Sequence, residues 1–140
     1  MSFRYRTPVR FSDVDHAGIV YYPMFYHYFH MAFEEFFRDR LGPQAYVGLL
    51  DDRRLGFPAV HTECDFVGPL RFGDDVEIEM TVERLGGKSI AFAYTATRLP
   101  AGTIAARGKV VCAVTNLDSF RAVEVPADVR ELLGSLALDS

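Results

Sequence analysis

Two aspartates and a glycine crowd one short polar turn, Asp13-Val-Asp15-His-Ala-Gly18, directly upstream of a long segment rich in phenylalanine. A carboxylate in such a turn can act as nucleophile or general base toward an activated acyl carbon. The segment that follows reads as a helix, and a helix N-terminus presents unpaired backbone N–H groups with a partial positive charge. Donors of that kind polarise a carbonyl and hold the oxyanion that forms from it. Pro23 has no N–H, so Tyr22 or a neighbouring residue must supply the donor. Asp15 and one free amide would then suffice for acyl transfer without a triad, although an aspartate ahead of a helix is ordinarily a cap.

Other chemistries find less support. No G-x-S-x-G elbow is present, and Cys64 and Cys112 sit in alternating apolar patterns with no activating neighbour. His27-x2-His30-x3-Glu34 would share a helix face but is not the H-E-x-x-H arrangement of zinc enzymes. These residues read as polar side chains lining a site or a subunit contact. The Asp13-x-Asp15-x-x-Gly18 spacing imitates the opening of a calcium loop. That loop requires an oxygen ligand where Ala17 stands and a glutamate where Met24 stands, so calcium is rejected.

The elements that must position Asp15 follow from periodicity. Residues 3–12 alternate and read as a strand near a sheet edge because of Pro8. Pro23 suits a first helical turn and Gly42 the position just past the end. Between them Phe25, Phe29, Ala32, Phe33, Phe36 and Phe37 recur at spacings of three and four. Residues 43–57 read as a short helix and a loop. Val60, Thr62, Cys64 and Phe66 alternate with His61, Glu63 and Asp65; more cleanly, Val76, Ile78, Met80 and Val82 alternate with Glu77, Glu79, Thr81 and Glu83, one face apolar and one wet. Gly86-Gly87 marks a hairpin, strands follow over 88–98 and about 103–115, and a short helix starts after Pro126. Only the sheet can cover the phenylalanine face of the long helix. The predicted class is therefore α+β, an antiparallel sheet of about five strands wrapped around one long central helix, with residues 1–140 as one domain.

Composition agrees with a globular chain of 140 residues: 49% hydrophobic, 24% charged, with 12 Phe and 7 Tyr but no Trp. A net charge of −4 is unlike the basic footprint of a nucleic-acid binder. No apolar run approaches a membrane span and the N-terminus lacks a signal-peptide core, so a reducing cytoplasm and two unpaired cysteines are expected.

The stretch FSDVDHAGIVYYP over residues 11–23 closely resembles the signature of the 4-hydroxybenzoyl-CoA thioesterase family of hotdog-fold enzymes. The likeness continues through Gly56-x-Pro58, Phe66-Val67, Asp74-Asp-Val76, Lys88-Ser89 and Arg121 to Asp128, nearly the whole chain. The resemblance implies a hotdog fold and hydrolysis of an aromatic or short-chain acyl-CoA to free acid and CoA. It implies that Asp15 is the catalytic carboxylate, as nucleophile or general base, that Gly18 shapes its turn, and that the backbone N–H of Tyr22 polarises the carbonyl. Pro23, His30 and His61 fall at substrate positions, and Lys88 and Ser89 match residues that hold the nucleotide end of CoA. No cofactor is implied, CoA being part of the substrate. The family builds its site between subunits, so a homodimer assembling into a homotetramer is expected, with no nucleic-acid or membrane partner.

The chain departs from the pattern in places. Gly86-Gly87 stands where the family has basic residues, and His30 stands where the 4-hydroxybenzoyl enzyme has an acid that meets the phenol hydroxyl. His61 and Glu63 replace smaller or neutral residues. One rival reading is hydration or dehydration on the same scaffold, using His16, His30, Glu34 or Glu35. Another is a non-enzymatic acyl-CoA-binding protein, for which the chain offers no output element.

Overall fold

The computed structural model describes residues 1–137. Its strands are β1 (Phe3–Pro8), β2 (Leu55–Gly56), β3 (Ala59–Phe66), β4 (Asp75–Leu85), β5 (Ser89–Leu99), β6 (Thr103–Ala113), β7 (Thr115–Asn116) and β8 (Arg121–Ala122). Its helices are α1 (Met24–Leu41), α2 (Ala45–Asp51) and α3 (Ala127–Gly134). A five-stranded antiparallel sheet in the order β1-β4-β5-β6-β3 curves around α1, the arrangement expected from the sequence.

The long helix is bounded as its sequence dictates. Pro23 takes the N-cap position with φ −63°, and Gly42 leaves the helix at φ 98°, returning its N–H to the Arg38 carbonyl. Arg38 and Arg40 in the last turn complement the negative end of the helix dipole. Phe25, Tyr28, Phe29, Ala32, Phe33, Phe36 and Phe37 make up its buried stripe. They meet the inward residues of β4, Val76, Ile78, Met80 and Val82, all essentially fully buried. Burial of large apolar side chains is worth roughly 1.5–3 kcal/mol each, so this layer dominates the stability of the fold.

Three expectations need correction. The first strand stops at Pro8 rather than continuing to residue 12. A 3₁₀ turn over Phe11–Asp13 replaces its end because the Asp13 carboxylate captures the Arg10 N–H. The last long strand breaks after Ala113, and residues beyond it join a small second sheet, β2-β7-β8, that the sequence reading did not anticipate. Finally, the alternation in β3 does not mark a buried face, for seven of its eight residues are exposed. β3 is the edge of the sheet and among the described residues pairs only with β6, touching α1 where Phe66 meets the Phe25 ring. Cys64 and Cys112 are both free thiols.

Candidate active site

The turn ahead of α1 is a tight, internally bonded loop. Val14 and Val20 form an isolated antiparallel bridge. Inside it the Asp15 N–H donates to the Ile19 carbonyl (2.9 Å) and the Gly18 N–H to the Asp15 carbonyl (3.0 Å). Gly18 lies at φ 83°, where a side chain would strain the backbone. Asp15 is exposed; its Oδ1 accepts the Ala17 N–H at 2.8 Å, which leaves Oδ2 without an intrachain donor among the described residues.

The next residues tie this loop to the helix. Val20 N–H donates to the Leu70 carbonyl and Tyr21 N–H to the Asp13 carbonyl. The carbonyls of Tyr21, Tyr22 and Pro23 accept the first bonds of α1. The Tyr22 N–H itself meets no acceptor among the described residues. Asp15, Gly18, Tyr22 and Pro23 thus gather at one end of α1, a carboxylate oxygen and an unpaired amide delivered by one turn. A helix start aims its free donors outward, where a carbonyl oxygen can meet them.

A residue missed in the sequence holds this turn in place. Asp13 is buried, and its Oδ2 accepts both the Tyr28 hydroxyl (2.8 Å) and the Arg10 N–H (2.9 Å). Tyr28 lies on the apolar stripe of α1 at 1% exposure, so the bond is dry. Burial, with the Asp13 carboxylate adding to it, pushes the Tyr28 phenol well above its usual range and keeps it a donor. The signal was present in the sequence as a tyrosine on a phenylalanine stripe, since a buried hydroxyl must find a partner.

A cavity of about 340 Å³ opens between α1 and the sheet, one turn further along the helix. Tyr26, Phe29, His30, Phe33 and Phe57 line it from the α1 side and the loop before β3. Tyr94, Val110 and Cys112 line it from the sheet. His30, half exposed, stands 3.5 Å from Glu34. Burial pushes the Cys112 thiol up to about 11, which makes it an inert wall. A second, shallower cavity of about 270 Å³ lies beside the loop itself, lined by Ile19, Tyr22, Phe25 and Phe66 among others.

The remaining predicted residues lie elsewhere in the protomer. Lys88 and Ser89 sit at the β4–β5 turn, whereas the Asp15 loop is tied to the other end of the sheet, near Leu70 and the start of β4. The eleven residues of β4 separate those ends, about 35 Å at the usual strand rise. His61, exposed on β3 and 3.9 Å from Glu63, is set opposite Val111, also toward the Lys88 end. One chain therefore does not bring these three residues to Asp15.

Comparison with known proteins adds to this geometry. The model of a family described as the thioesterase-like superfamily matches residues 9–133. A 1,4-dihydroxy-2-naphthoyl-CoA hydrolase of Nostoc punctiforme is 32% identical over 100 residues, covering 69% of this chain. The match spans 64% of that relative's length, and 63% of a hydrolase of the same name from Picosynechococcus. Among solved structures, a gentisyl-coenzyme A thioesterase is 31% identical with a TM-score of 0.79, covering 91% of this chain and 98% of the other. An aspartate-to-asparagine mutant of 4-hydroxybenzoyl CoA thioesterase, solved with 4-hydroxybenzoyl CoA, is 26% identical with a TM-score of 0.82. That likeness covers 94% of this chain and 98% of the other. No helix among the described residues is long and apolar enough to cross a membrane.

Proposed function

Since this chain belongs to the thioesterase-like superfamily and has its hotdog fold, we propose that it hydrolyses the thioester of an aromatic or short-chain acyl-CoA to free acid and CoA. The observation that carries this reading is the segment leading into α1, which bears both an Asp15 carboxylate oxygen without an intrachain donor and an unpaired Tyr22 N–H among the described residues. The relatives named for hydrolysis of hydroxyaryl-CoA thioesters support it.

In the reaction, the thioester carbonyl oxygen takes the Tyr22 N–H, and the helix N-terminus favours the negative charge that grows there. The Asp15 carboxylate either attacks the acyl carbon, giving a mixed anhydride that water then opens, or removes a proton from the water that attacks. In both routes the C–S bond breaks as the tetrahedral adduct collapses, and CoA leaves as a thiolate that is then protonated. Gly18 allows the turn that brings both groups round.

The wide separation of Lys88 and Ser89 from Asp15 supports a site completed by a second copy, whose Lys88 would hold the nucleotide end of CoA. The exposed edge β3, with Val60 at 64% exposure, is suited to pair with its counterpart. A homodimer joined along β3, assembling further into a tetramer, is the arrangement this reading adopts.

The direct test incubates the protein with a saturated aryl- or acyl-CoA and with an enoyl-CoA. Free thiol should appear from the saturated compound. Hydration of the enoyl-CoA without thiol release would replace hydrolysis by the hydratase reading.

A further inference from the structure

The aromatic cavity holds a deeply buried hydroxyl that nothing in the fold uses. Tyr94, on β5, is 4% exposed and stacks on Phe29 with ring centroids 4.8 Å apart and an interplanar angle of 11°. Its hydroxyl has no hydrogen-bond partner among the described residues. Yet no fully buried side-chain oxygen or nitrogen is left unsatisfied. The Tyr94 oxygen must therefore touch open space, and the space that Tyr94 lines is the 340 Å³ cavity. Burial holds the phenol far above its usual titration range, so it is a permanent donor.

The backbone is shaped to put this group there. Tyr94 is set opposite Gly108 on β6, and a Cβ at Gly108 would collide with the Phe29 ring. The missing side chain lets Phe29 press against the sheet and lie flat on Tyr94. Phe33 and Phe57 close other walls at T-shaped angles. Such walls accept a flat ring, and a buried, unpartnered donor among them, beside the cavity's other polar side chains Tyr26, His30 and Thr62, favours a ligand that carries an acceptor at that point.

The position along the helix sets the reach. From Tyr22 to Phe29 is seven residues, about 10 Å at the rise of an α-helix. An acyl group that spans about that length, with its carbonyl oxygen on the Tyr22 N–H, would bring its distal end to the level of Tyr94.

We propose that Tyr94 is a specificity residue whose hydroxyl reads an oxygen substituent at the distal end of an aromatic acyl group lodged against Phe29. The inference rests on the hydrolase reading for the identity of the site, and it says which side chain would select among hydroxyaryl thioesters, the class for which the relatives are named. An acyl chain without that oxygen strands the Tyr94 hydroxyl in a dry cavity, a loss on the order of tenfold in affinity.

The test uses non-hydrolysable analogues, in which a methylene replaces the thioester sulfur, in two pairs: benzoyl and 4-hydroxybenzoyl, cinnamoyl and 4-hydroxycinnamoyl. Binding to the wild-type protein and to Tyr94→Phe is measured by calorimetry, with melting temperature as the check on folding. The phenylalanine keeps the ring and its stacking. In at least one pair the hydroxylated analogue should bind wild type about tenfold more tightly, and Tyr94→Phe should reduce that ratio to about one, with the unsubstituted analogue bound at least as tightly as by wild type because no hydroxyl is then stranded. A ratio near one in wild type, a ratio that survives the substitution, equal weakening of both members, or no binding overturns the inference. Thiol release from the corresponding thioesters is scored separately. Its absence in wild type would reject hydrolysis while the binding ratios still decide the role of Tyr94.

Discussion

Tyr28→Phe removes a single oxygen from the wall that supports the Asp15 turn. That oxygen donates to Asp13 Oδ2 at 2.8 Å, and only the Arg10 N–H remains on the carboxylate when it is gone. Asp13 is 7% exposed, so water does not replace the lost donor freely. A hydrogen bond to a buried charge contributes about 1.5–3 kcal/mol. For a chain of 140 residues the unfolding entropy is about 0.3 kcal/mol/K, so the melting temperature should fall by about 5–10 °C. The effect should also reach turnover. The Asp13 carbonyl takes the Tyr21 N–H, adjacent to the Tyr22 donor, and Asp15 is two residues away. Loosening this anchor should lower kcat by about tenfold, since a misplacement of the order of 1 Å costs that much or more. Calorimetric melting and free-thiol assays on the same preparation measure both. A melting temperature within about 1 °C of wild type, with unchanged kcat, would refute the anchoring role.

Other perturbations probe the packing and titration of the same region. Gly108→Ala places a methyl into the Phe29 ring, itself 1% exposed and stacked on Tyr94, and should destabilise by about 1–3 kcal/mol in urea unfolding. An unaltered midpoint would mean that Phe29 has room to move. Burial raises the phenols of Tyr28 and Tyr94 above the ordinary 10.0, and that of Tyr46 to about 12 with Glu34 contributing. Their neutral forms are thus favoured by folding. The stability this brings is complete below pH 10 and is lost as pH rises toward the folded values. Urea midpoints followed against pH should decline above pH 10, less steeply in Tyr46→Phe, and a flat or rising midpoint would contradict the assignment.

Much of this arrangement is written in local patterns. The phenylalanine spacing, Pro23 and Gly42 define α1 to within a residue, and Gly86-Gly87 sits at the β4–β5 turn as expected. Asp15 and Tyr22 both lie just ahead of α1 because one short segment carries them, a relation that sequence distance preserves. The features that were not legible depend on contacts between distant residues. Asp13 is distinguished from Asp15 by Tyr28, fifteen positions on, and the alternation alone cannot say which aspartate turns inward. The alternation of β3 predicts a buried face, but its place at the edge of the sheet leaves that face open, and strand order is a tertiary property. The cavity is assembled from α1, the loop before β3, and three strands, so no single segment announces it. Lys88 and Ser89 carry a recognisable motif, yet only the topology reveals that they lie a full strand length from Asp15.

Asp15→Asn is the substitution on which hydrolysis turns. It keeps the shape of the side chain and an oxygen to accept the Ala17 N–H, while removing the charge that the proposed mechanism uses to attack the acyl carbon or to take a proton from water. Turnover of an aryl-CoA that wild type hydrolyses should fall by at least about a hundredfold at saturating substrate, with melting temperature and oligomeric state unchanged. Turnover within a few-fold of wild type in a properly folded variant would contradict the account.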